Sequence, residues 1–256
     1  MPAFIMQRLK VMKQTVMDKA EKLKRRIDHD APFGLGIGAI VEFNELNKAF
    51  LGADSLIADD IRSIPAQINI KAYGRMEMDT TLFHRFYFEN FEGQEFFIQV
   101  ITDPKGRPIP GEIKLFTLYV EDSEYETDED YYLADGDGLI GYPMYLVPLR
   151  GQEGIEEPET VEFWNMWKSR EEWEPPEKIQ EDLYTNPRRG AYQNLVHVMG
   201  FFGRETGEES QEWAFLSAVY TFWPEEDAHH DLSVATYIGL DLEHGENGHF
   251  MVYAAE

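Results

Sequence analysis

Six side chains between positions 227 and 249 have the chemistry of metal ligands. "EDAHHD" at 226–231 supplies Asp227, His229, His230 and Asp231, and "EHGENGH" at 243–249 supplies His244 and His249. Neutral imidazoles and carboxylates suit zinc, manganese or iron. The two segments could converge if both close turns at one sheet edge. Against a metal, each has the polar composition of a hairpin turn, and adjacent histidines on a strand point to opposite faces. Surface turns are the preferred reading, and no metal or cofactor is expected.

A second constellation lies in "FHRFYFE" at 83–89. On a strand, Leu82, His84, Phe86 and Phe88 share one face, and Phe83, Arg85, Tyr87 and Glu89 the other. Apolar groups on both faces mark a central strand, so His84 and Arg85 need partners. They form either a satisfied structural pair or a pocket floor that takes an anionic group through Arg85. Trp164 and Trp167 stand three apart in "ETVEFWNMWKSREEW" at 159–173, on one face if that segment is helical. They serve as core packing or, if exposed, as anchors for a partner.

Other chemistries are excluded or weak. The chain has no cysteine, which removes disulfides, thiolate nucleophiles and Cys-ligated metals. It lacks G-x-S-x-G, S-x-x-K, a Walker A motif and H-E-x-x-H. "ADGDG" at 134–138 begins like a calcium loop but lacks the later ligands. "FGLGIGAIVEF" at 33–43 spaces its glycines as G-x-G-x-G, with strand-like residues after them. A dinucleotide loop needs G-x-G-x-x-G between a strand and a helix. These glycines are therefore read as structural, baring one face of a strand to a close neighbour.

The elements that must position these residues are mostly strands. Period-two runs appear in "QINIKAYG", "TLFHRFYFE", "EFFIQVIT" and "EIKLFTLYV", and again in "AYQNLVHVMGFFGRE", "WAFLSAVYTFW", "LSVATYIGLDL" and "HFMVYAA". Residues 44–62 suggest short helical turns, with Asn44 as a cap. The segment 121–137 is an acidic, tyrosine-containing loop, and 152–190 is rich in Glu, Trp and Pro around one predicted helix. The expected class is α+β: a predominantly antiparallel sheet in two meander blocks, with an N-terminal amphipathic helix and a helical connector. The expected organisation is a basic helix over 1–30 and an acidic β-rich body over 31–256, with sub-blocks 34–120 and 190–256 joined by 121–189.

Charge sharpens that division. The formal net charge is −25. Residues 1–30 hold eight Lys or Arg against four Asp or Glu, a net +4, so the remainder carries −29. A body this acidic repels phosphate backbones, and no nucleic-acid partner is expected. Within residues 3–28, Ile5, Leu9, Met12, Val16, Ala20, Leu23 and Ile27 recur at three and four, close to a heptad seam. Such a helix docks on its own body or a neighbouring subunit, pairs with a coiled-coil partner, or lies on an anionic membrane surface. No run of apolar residues is long enough to span a bilayer, and the first residues do not read as a secretory signal. A cytoplasmic location, with the inner membrane as a peripheral site, is expected.

"IKAYGRMEMDTTLFHRFYFE", "EFFIQV", "GEIKLF" and "ATYIGLDL" together resemble the YjfK-like family of bacterial proteins over about residues 34–242. The motifs are aromatic strand patterns, sharpest at "HRFYFE". The resemblance implies an uncharacterised family, near phage-shock-type coiled-coil proteins that remodel membranes, and supplies no catalytic residues. It favours a non-enzymatic adaptor in envelope-stress or membrane-associated assemblies, reached through the N-terminal helix. The alternative is an enzyme or small-ligand binder with a His/carboxylate or His84/Arg85 pocket. The oligomeric state is open.

Overall fold

Period-two alternation carries most of the chain into antiparallel strands. In a computed structural model the described residues are 26–44, 55–122, 139–151, 159–168, 171–172, 174, 176–188, 193–206, 211–222 and 230–254. In chain order the strands are β1 (Ile40–Phe43), β2 (Gln67–Asn69), β3 (Ala72–Met78), β4 (Thr81–Glu89), β5 (Glu95–Thr102), β6 (Pro108–Asp122), β7 (Met144–Pro148), β8 (Thr160–Asn165), β9 (Glu177–Tyr184), β10 (Gln193–Glu205), β11 (Gln211–Phe222), β12 (His230–Asp241) and β13 (Phe250–Tyr253).

Two meanders, β3-β4-β5-β6 and β9-β10-β11-β12, meet along two seams. At one, β6 pairs with β12; at the other, β3 pairs with β9. With β10 also on β11, eight antiparallel strands close into a barrel. Closure removes the free edges that an open sheet exposes.

This corrects the α+β expectation. The described residues hold one short helix, α1 (Ala58–Ser63), besides brief 3-10 turns, and the two blocks, which the sequence left open as one sheet system or two, join in the barrel. The supposed helical connector contains β8. Along it Phe163 and Asn165 are buried while Thr160, Glu162 and Trp164 are exposed, an alternation of two. Pairing with β7, and with β10 at Phe202 and Gly203, outweighs the helix propensity of its glutamates. A further strand, β9, runs through charged sequence where none was expected. The seam residues Ile5, Leu9, Met12, Val16 and Leu23 lie outside the described residues. Ile27 sits in a turn, where its N–H donates to Pro187 O at 2.8 Å.

Parts of the outer wall of the barrel are also buried. A three-stranded sheet, ordered β13-β1-β2, covers one side, with Phe43 against Phe88 and Phe250. The β7–β8 hairpin covers another: Tyr145 packs on Phe202, and its hydroxyl hydrogen-bonds that of Thr236 at 2.8 Å. Helix α1 is fastened by Asp60, which accepts from Arg150 Nη1 at 2.7 Å.

The alternating glycines sit in turns before β1, not on a strand. Gly34 and Gly38 have φ of 77° and 87°. A Cβ on Gly36 would come within 2.7 Å of the Asp28 carboxylate, which accepts from Ile37 N at 2.6 Å. Their role is structural: they let the chain fold back over Asp28.

Candidate functional site

The inward face of each barrel strand follows from its period. Met76 and Met78 point inward from β3, Phe83, Arg85 and Tyr87 from β4, and Phe97, Gln99 and Ile101 from β5. Opposite them, β9 contributes Ile179 and Glu181, β10 His197, Met199 and Phe201, β11 Trp213, Phe215 and Ser217, and β12 Tyr237.

One end of the interior is closed by aromatic side chains. Phe201 stacks on Trp213 at 5.1 Å, and Trp167 packs on Phe201, Phe83 and Phe215. Above this plug lies a buried polar layer centred on Glu181, which is fully buried. Its Oε2 accepts from Arg85 Nη1 at 3.2 Å and His197 Nε2 at 2.8 Å, and its Oε1 from the Tyr87 hydroxyl at 2.7 Å. Arg85 also donates from Nε to Gln99 at 3.1 Å, and its guanidinium lies between Phe97 and Phe215, 4.7 and 4.6 Å from the ring centres. Gly74 makes room: a Cβ there would overlap the Glu181 carboxylate.

Electrostatics fix the charges of this layer. Burial alone would raise the Glu181 carboxyl, but the Arg85 charge and the hydrogen bonds from His197 and Tyr87 hold it below the usual range. It is therefore a carboxylate that can only accept. His197 must carry its proton on Nε2, and Nδ1 then accepts from Ser217 at 3.1 Å. Burial keeps His197 neutral against the pull of Glu181. Glu181, His197 and Ser217 thus form a carboxylate–imidazole–hydroxyl line. Ser217 is nevertheless fully buried and does not line the nearby cavity.

That cavity opens at the other end of the barrel and measures about 440 Å³. Leu118, Leu183, Leu195 and Val219 make apolar wall, and Tyr87, Tyr237 and His197 bring polar atoms to its depth. Glu89, Glu95 and Glu121 stand at its rim, with Lys71 paired to Glu89. Burial, then the neighbouring Glu181, Glu121 and Glu89, push the Glu95 carboxyl up to about 7.

The residues singled out from sequence are not brought together here. His84 and Arg85 do lie on opposite faces of β4, so they share no pocket. His84 faces outward, with Nδ1 at 2.8 Å from the Tyr73 hydroxyl and Nε2 at 3.2 Å from Thr102. Burial and the Arg75 charge lower it to about 4, leaving it neutral. Arg85 is bound to Glu181 and is not part of the cavity wall, although its Nη2 has no hydrogen-bond partner among the described residues. Trp164 is 39% exposed beside a groove it shares with Met166 and Arg204, while Trp167 belongs to the plug.

The two histidine segments flank β12. His230 opens that strand at the cavity end and Asp241 closes it, about 36 Å away at the usual rise per residue. Beyond it, His244 stacks on Phe33 at 4.3 Å, and His249 Nδ1 accepts from Glu243 N at 2.8 Å. Asp227 and His229 fall outside the described residues, as do the side chains of His230 and Asp231. Among the described residues no three His, Asp or Glu are placed to hold a metal, and no helix is long and apolar enough to cross a membrane.

Glu181, His197, Tyr237 and Glu95 went unnoticed in the sequence. The signal for Glu181 was present in "KIQEDLY": Ile179 and Leu183 flank it at i±2, which places a carboxylate on an apolar strand face. His197 likewise sits within the apolar run "LVHVMGFF".

No curated protein and no solved structure matches the chain. A comparison with protein families does, over residues 10–247, and by that match the chain belongs to the family described as "Protein of unknown function (DUF2491)".

Proposed function

We propose that the protein binds a small molecule in the open mouth of its barrel. The supporting observation is the cavity itself, about 440 Å³, with leucine and valine walls and a few convergent polar groups. That size and mixture are typical of small-ligand sites, and barrel mouths are a usual place for them. The polar layer beneath it is held mainly by contacts among its own residues and forms the floor. The test is titration of the full-length protein with the neutral fluorophore N-phenyl-1-naphthylamine. Saturable binding is expected, weakened at least about tenfold by Leu195→Trp, which fills the mouth with an indole. If Leu195→Trp leaves the protein folded and the affinity unmoved, the mouth is not the site.

A second reading, a cytoplasmic adaptor of the kind the YjfK-like resemblance implies, draws on Trp164 and Met166, each 39% exposed on one groove. Large apolar side chains on such a face suit a protein partner. Residues 1–30, with their net +4, add a second contact for a coiled coil or an anionic membrane. In-cell crosslinking of wild type against Trp164→Ala/Met166→Ala separates the readings. A partner lost with the double substitution supports the adaptor, and an unchanged crosslinking pattern removes the groove from it.

A further inference from the structure

We propose that the ligand of the barrel mouth is an organic cation, an ammonium group carried on an apolar body. This rests on the mouth being the binding site and adds the chemical class of what enters it.

The wall offers different chemistry at each depth. Along β4, Tyr87 lies one inward step below Glu89; along β10, His197 lies below Leu195 and Gln193. Leu118, Leu183 and Val219 complete the middle of the wall, so the body of a ligand meets hydrocarbon and ring. Charge is confined to the rim. There Glu89 and Glu95 stand directly opposite each other across the β4–β5 ladder, an arrangement of like charges that destabilises a sheet. Glu121 adds a third carboxylate from β6. The wall holds one Lys or Arg, Lys71, and its ammonium is already on Glu89. With His197 neutral and Glu95 ionised, as it is above about pH 7, Lys71 against Glu89, Glu95 and Glu121 leaves the wall a net charge of −2. No salt bridge among the described residues reaches Glu95 or Glu121.

Among the described residues of the wall, an anionic head would find no cation except Lys71, which is already paired with Glu89. Two further cations are buried among the described residues, and both are off the wall and occupied: Arg85 by Glu181 and Gln99, and Lys114 by Glu112 and Asp241 beside the Trp213 ring. A neutral head would leave the opposed carboxylates as they are. A cation at the rim relieves their repulsion and satisfies them at once, and the partial burial of Glu95 strengthens that attraction relative to open water. Burial first, and then the neighbouring carboxylates, raise the Glu95 carboxyl.

Three probes with one body and different heads test this: 4-phenylbutylamine, 4-phenylbutanol and 4-phenylbutanoate. Each is titrated calorimetrically into the full-length protein at pH 8 and low salt. The amine is expected to bind about tenfold tighter than the alcohol, with the carboxylate weakest, and the gap should narrow as salt is added. In Glu95→Gln/Glu121→Gln, which keeps side-chain volume, the preference for the amine should fall to about twofold or less. If the alcohol or the carboxylate binds as well as the amine, and Leu195→Trp abolishes that binding, the cation is wrong and the mouth site stands. If none of the three binds, the mouth site fails with it. If the amine preference survives in the double variant, the rim carboxylates are not its cause.

Discussion

Glu181→Ala should cost the fold about 3–5 kcal/mol, the range for breaking a buried ion pair from one side. The loss is large because the substitution strands more than a charge. Arg85 is left fully buried with Gln99 as its remaining hydrogen-bond partner, and the His197 imidazole and the Tyr87 hydroxyl lose their acceptor together. Arg85→Met/Glu181→Leu removes both charges and refills the space with hydrocarbon. It should recover more than half of the loss, though not all, because His197 and Tyr87 stay unsatisfied. Urea unfolding of wild type, the single variant and the double variant decides the matter. A double variant no more stable than Glu181→Ala would mean that the pair is not what holds this layer. If Glu181→Ala cannot be isolated folded, a folded double variant still makes the point.

Glu95→Gln should stabilise the protein, and only at higher pH. In the fold Glu95 releases its proton at about 7, against 4.5 in the ordinary state. Between those values the folded chain keeps a proton that the unfolded chain has lost. Stability from this group is therefore greatest below about 4.5 and falls as the pH rises through 7. The full shift corresponds to about 3 kcal/mol, and partial solvent exposure of the side chain reduces that to about 2 kcal/mol. Glutamine carries no charge at any pH, so the variant should match wild type near pH 4.5 and exceed it at pH 8. The groups facing Glu95 are Glu181, Glu121, Glu89 and Arg85. Burial of the charge is the largest cause of the shift, followed by repulsion from Glu181, Glu121 and Glu89, and the neutral glutamine relieves all of them. A stability difference that stays constant from pH 4.5 to 8 would show that Glu95 is not strained by its neighbours.

Local pattern accounts for what could be read in the sequence. The two faces of β4 were legible from alternation, as were β5, β6, β10, β11 and β12, because each carries aromatic and branched residues at period two. What local pattern could not reveal is which strands are neighbours. The pairing of Tyr73 with Tyr184 and of Val120 with Thr236 is a matter of register across the whole chain. Without it, the two meanders look like two sheets. The connector misled for a different reason: "ETVEFWNMW" is glutamate-rich, and its tryptophans are three apart, which fits a helix as well as it fits burial of Phe163 and Asn165. β9 was hidden by its polar residues, since glutamine, glutamate and aspartate separate Ile179 from Leu183 and a lysine precedes Ile179. The site followed the same logic. Arg85 was visible as a cation on an apolar strand, but its partner Glu181 lies 96 positions away, and the cavity exists only once both seams have closed.

Closure also bears on how the chain is made. At the two seams the paired residues lie roughly 110 positions apart, so these contacts are of high order and form slowly. During synthesis β3 to β6 emerge as a four-stranded sheet well before β9 or β12 exists. Until then β3 and β6 expose bare backbone along both flanks, and β6, at 15 residues, is the longest of the described strands. The nascent chain therefore passes through an edge-exposed state that the finished barrel conceals. A cell making this protein must shield that intermediate from its own copies until the second meander arrives.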